Sequence, residues 1–203
     1  MKQIHSISGI VITVFISLHL YNHFYSLVGI EKHIDVMDTL RMFYRNLFFE
    51  ILLLFSILIQ IVSGVKLFLI KINSAKNFFE KLQLWSGLYI AFFLVIHLSA
   101  VFVGRLFLKL DTNIFFGVAG LNMFPFFLFF IPYYGLAIIS FFGHLASIHS
   151  MKMKKNMLGT SPTKQGYIIL FLGVLFSIII LYGLTDGFKG IEIPKEYNVL
   201  IGK

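Results

Sequence analysis

The 203-residue sequence contains no cysteine, which excludes disulfides, thiolate nucleophiles and Cys-ligated iron–sulfur or zinc centres within the chain. Any metal would have to come to histidine. Charge is scarce as well: 13% of residues are charged against 58% hydrophobic, and uncharged stretches exceed the ~18 residues that cross a bilayer as helix. A soluble domain is thereby excluded. The formal net charge of +8 invites a nucleic-acid reading, but the lysines stand at the ends of apolar runs, where a bilayer surface attracts them. Nucleic-acid binding is not expected.

Five apolar runs are present, at about residues 4–30, 46–72, 82–108, 121–150 and 166–187. Each is long enough to span with some tilt, which predicts an all-α membrane protein of five transmembrane helices forming one integral-membrane domain over 1–203. The first run is too long for a signal-peptide core and lacks a small-residue cleavage site, so it is read as a mature helix. Short segments rich in lysine (Lys66, Lys71, Lys76, Lys81, then Lys152, Lys154, Lys155, Lys164) join runs two to three and four to five. The positive-inside rule turns them to the cytoplasm and places the N-terminus inside. The 187–203 tail is polar enough to lie outside the membrane.

The third run organises the rest, because it carries one histidine, His97, deep within an apolar stretch. Its opening, Ser86-Gly87, repeats Ser8-Gly9 of the first run, and in both a His-Leu pair follows the glycine by ten residues: His19-Leu20 and His97-Leu98. At a helical rise of ~1.5 Å per residue, His19 and His97 lie roughly 22–24 Å from the inner end. They share one level, towards the outer face. The fourth run travels inward, which puts His144 only ~12 Å from that end, on a second level where the second run offers Gln60 rather than a histidine.

Two neutral imidazoles from facing helices at one depth are the axial ligands of a six-coordinate, electron-transferring haem. The plainer reading is a hydrogen bond across a helix interface; for a depth-matched pair the ligand reading is preferred. Ser8, Gly9, Ser86 and Gly87 allow close approach of a porphyrin plane or of another helix. His23, one turn beyond His19, could line a propionate or a quinone, or equally sit at the interface facing water. His5, beside Ser6, is read as a headgroup-level residue that could contact a quinone or a partner subunit, and His33 as a solvated residue of an acidic loop. His149 follows His144 by five residues, so at most one of the two could ligate a given iron.

These residues resemble a known family, the five-helix cytochrome b membrane subunits of succinate dehydrogenases and menaquinol:fumarate reductases. His5-Ser6 with Gly9, His19-Leu20 and Asn22 is similar to that family's first helix. Gln83 with Ser86-Gly87 and His97 looks like its third, and Tyr134 to His144 has the spacing of its fourth. The resemblance implies haem b held by His19 and His97, with His144 at the position of a second haem's ligand. It departs at the second helix: Glu50-Ile51 and Gly64-Val65 fit, but Gln60 stands where the partner histidine of His144 is expected. Two readings follow, a second haem that persists with an unusual sixth ligand or one that is lost; the loss is preferred, so one haem is expected, with menaquinone or another quinone in the vacated inner space.

The resemblance further implies flavoprotein and iron–sulfur subunits docked on the cytoplasmic face of a bacterial inner membrane. Dicarboxylate chemistry would belong to them, since the chain has neither a flavin-binding glycine motif nor cluster cysteines. Two rivals stand beside this: a haem-poor or haem-free structural anchor of the same fold that binds quinone, and a proton-coupled transporter. The transporter ranks last, because it calls for charged pairs within the spans.

Overall fold

The apolar runs fold as helices, and flanking residues set their ends. In the computed structural model, which describes residues 1–157 and 159–202, α1 spans Lys2–Phe24, α2 Ile30–Tyr44, α3 Leu47–Lys71, α4 Phe78–Phe102, α5 Ile114–Val118, α6 Phe127–Lys152 and α7 Pro162–Leu184. Five of them are long and apolar enough to cross a membrane, as expected of a multi-pass membrane protein. Asn77 accepts from the Glu80 backbone while the Glu80 carboxylate returns to the Asn77 backbone, a reciprocal cap that starts α4 four residues before the apolar run. Ser161 caps α7, with Pro162 in its first turn, so that helix also starts before the expected residue 166. The fourth run starts later than its composition suggests, because residues 120–122 form a separate 3-10 turn before α6.

The first run differs most from expectation. It ends as a helix at Phe24, passes through a 3-10 turn, and turns at Gly29, whose φ of +145° suits glycine. The segment expected to be an acidic loop is instead the amphipathic helix α2, with His33 and Met37 buried. His33 is 1% exposed, so its expected solvation is corrected: it sits under α2 against α1. The tail beyond α7 folds back as a 3-10 helix over Lys195–Ile201, where the buried Tyr197 hydroxyl donates to the Asp111 carbonyl (3.0 Å); Lys203 lies outside the described residues.

α1 packs on α3 and α7, α4 on α3 and α6, and α6 on α7. This closes a ring in which α1 and α4 face one another across the interior. The α6–α7 seam is tight because Gly173 meets Phe142 where a side chain would clash, and Ser177 donates to the Gly135 carbonyl (3.2 Å). The other side of α1 exposes Ile7, Ile10, Val14, Leu18 and Tyr21, an i, i+3, i+4 stripe suited to lipid.

Candidate functional site

The space between α1 and α4 is divided into two cavities, named outer and inner after the orientation that the lysines predict. The outer has a volume of about 290 Å³ and the inner about 660 Å³. Ile12, Ile16, Ile90, Leu94 and Phe141 line both, forming the apolar belt between them.

His19 and His97 meet in the outer cavity, one from each facing helix, with ring centroids 6.2 Å apart. Metal–nitrogen bonds of about 2 Å on each side would set the centroids of two imidazoles sharing one metal roughly 6 Å apart. His97 is held by ring contacts, stacked on Phe93 (5.1 Å) and edge-on to Tyr134 (6.3 Å). Among the described residues none hydrogen-bonds it, so its polar edge is free for a ligand in a setting where an unpaired imidazole is costly. His19 stacks on Phe15 (5.7 Å), and its Nε2 lies 3.1 Å from His23 Nε2. Ligating iron through that nitrogen exchanges the His23 partner for the metal. These residues fit a haem between α1 and α4.

His23 therefore belongs to the cavity wall rather than facing water. Its Nδ1 lies 3.2 Å from His33 Nε2, which Asn22 Nδ2 also approaches at 3.3 Å. Burial, then the Arg41 guanidinium, hold His33 at a pKa of about 4, so it is neutral at pH 7. Asn22 Oδ1 and His33 Nδ1 are buried without a protein partner. The sequence reading missed α2 here: besides His33 it supplies Arg41, which with Arg45 just beyond the helix lines the same cavity.

The inner cavity explains the repeated Ser-Gly pairs. Gln60, on α3, donates its amide to Ser8 Oγ (2.9 Å) and to the His5 carbonyl, with Gly9 leaving room beside it. His144, on α6, stands in the matching place against Ser86 and Gly87, whose lack of a side chain admits its Cε1. The two small-residue pairs thus seat side chains from neighbouring helices and lie a level away from His19 and His97. With Gln60 pinned to α1, α3 offers no imidazole opposite His144, so the α3–α6 pair does not fit a bis-histidine haem.

His144 Nδ1 lies 3.1 Å from the Gln83 carbonyl, which only accepts, so Nδ1 carries the proton and Nε2 the lone pair. His5 is in the same state. The Ser63 hydroxyl donates to the Ile59 carbonyl, so it must accept from His5 Nδ1 at 2.7 Å. His5 thereby lines the inner cavity. His149 points elsewhere, its Nε2 2.7 Å from Gln165 Oε1 on α7.

Lys2, Lys71 and Lys152 also line the inner cavity. Ionic contacts gather at the outer end: Arg105 pairs with Glu50 at 2.6 Å, Arg41 with Asp111 at 2.9 Å and with Asp38 at 3.3 Å. Comparison with protein-family models, curated proteins and solved structures found no match, so the functional reading rests on the residues of this chain.

Proposed function

We infer that this chain is the membrane anchor and cytochrome b subunit of a succinate:quinone oxidoreductase or fumarate reductase, passing electrons between an iron–sulfur subunit and quinone. The observation that carries it is the His19–His97 pair facing across the bundle at 6.2 Å, with the resemblance of the first, third and fourth runs in support. Haem, when bound there, supplies one-electron storage. His19 and His97 would hold the iron, and Phe15 and Phe93, stacked on their rings, fix the ring planes.

The inner cavity suits the headgroup of a quinol. Both imidazoles turned to it keep an Nε2 lone pair, and a hydroquinone hydroxyl is the donor that such an acceptor needs. On quinol oxidation His144 and His5 would be the first proton acceptors, and in the reverse flux the last donors. The lysines of the inner segments would face an acidic surface of the soluble partners.

The His19–His23 hydrogen bond is the one feature that favours the rival, a haem-free anchor of the same fold binding quinone. The test is anaerobic addition of a short-chain menaquinol to the purified protein, followed in the visible spectrum. Reduction of a b-type haem supports the reading; a preparation with no haem absorbance leaves the rival.

A further inference from the structure

The wall of the outer cavity itself holds three guanidinium groups and one carboxylate, those of Arg41, Arg45, Arg105 and Glu50, while the balancing Asp38 and Asp111 stand outside that lining. Arg105 takes Glu50 closely, and Arg41 pairs with Asp38 and Asp111. Arg45 is left with the weakest partners: Asp111 at 3.7 Å, already engaged by Arg41, and the Thr112 hydroxyl at 3.1 Å. Burial is the main cause that lowers the Arg45 pKa, and repulsion by the Arg41 and Arg105 guanidinium groups adds to it. An anionic group among them would relieve that repulsion and would bind through charge-assisted, two-pronged hydrogen bonds.

Resting on the functional reading above, the geometry points to Arg45, with Arg41 beside it, as the clamp for the propionate carboxylates of the haem between His19 and His97. The clamp comes from α2 and the turn after it, so this surface helix is part of the cofactor site and not merely a lid. Its position follows from local structure. Gly29 folds α2 back over the bundle, His33 and Met37 bury its inner face, and Arg41 and Arg45 fall four and eight residues beyond Met37, on that same face.

A guanidinium near the propionates favours the reduced haem, whose net charge is one unit more negative than that of the oxidised form. Removing it must lower the midpoint potential. The experiment is a potentiometric titration of the purified protein and of Arg45→Gln, Arg45→Lys and Lys32→Gln. Lys32 lies on the exposed side of the same helix and pairs with Asp35 at 3.8 Å, so it removes one charge from α2 without touching the cavity.

Arg45→Gln should reduce the ratio of reduced to oxidised haem at a fixed ambient potential by about tenfold, a downward shift of about 59 mV for a one-electron couple. Arg45→Lys should retain most of the native value, and Lys32→Gln should leave it in place. Loss of haem from Arg45→Gln but not from Arg45→Lys would support the clamp equally, since charge rather than folding would then decide. A haem whose potential ignores Arg45→Gln, or moves as far with Lys32→Gln, overturns the clamp and leaves the cytochrome reading standing. An unmodified protein that holds no haem overturns both.

Discussion

Gln60 stands against Ser8 and Gly9 of α1 as His144 stands against Ser86 and Gly87 of α4. Two helix pairs, α1 with α3 and α4 with α6, repeat one packing motif, and the side chain seated in it is a carboxamide in one copy and an imidazole in the other. His144 has its Nδ1 proton committed to a backbone carbonyl, the arrangement that readies Nε2 for a metal. The matching imidazole is what α3 lacks, since Gln60 occupies its place.

Gln60→His should therefore raise the haem content from about one to about two per polypeptide, read by pyridine haemochrome assay. The variant gives up the Gln60 bonds to α1, at about 1 kcal/mol each. A ratio near two in the unmodified protein, or no rise in the variant, would contradict the account of the inner level.

α2 should loosen in mild acid. His33 is buried and held at about 4, so the packed state refuses a proton that the released state binds from pH 6.5 downwards. The contribution of packed α2 is complete above pH 6.5 and is lost as the pH falls towards 4, by on the order of 3 kcal/mol. Amide exchange of residues 30–44, corrected for intrinsic rate, should be faster at pH 5 than at pH 7, and His33→Gln should remove that difference. Equal protection at both pH values would show that His33 does not hold the helix.

The orientation is tested at Ser74, which is exposed just after α3. With the lysine-bearing segments cytoplasmic, a cysteine there should resist an impermeant thiol reagent in intact cells and react after permeabilisation. Labelling of intact cells would invert the topology and exchange the outer and inner cavities.

The five spans, the shared level of His19 and His97 and the separate level of His144 were legible in the sequence, because helical rise turns residue spacing into depth when the segments are long and apolar. α2 was not. Glu31, Lys32, Asp35 and Asp38 gave its stretch the look of a solvated loop, although Ile30, His33, Ile34, Met37 and Arg41 recur at helical spacing, and that periodicity was the available signal. Its burial depends on the turn at Gly29 and on contacts with α1 that no local pattern encodes. The role of the Ser-Gly pairs was half legible: the repeat showed, but that they seat Gln60 and His144 required the ring of helices to close.

The most direct test of the central claim is the low-temperature absorption and electron paramagnetic resonance of the purified protein beside His19→Ala and His97→Ala. A haem held by both imidazoles is low-spin and six-coordinate, and each substitution should abolish that signal or leave a high-spin, weakly held haem, while Gln60→Ala leaves it unchanged. A six-coordinate, low-spin haem that persists with unaltered absorbance in both histidine variants would contradict the assignment.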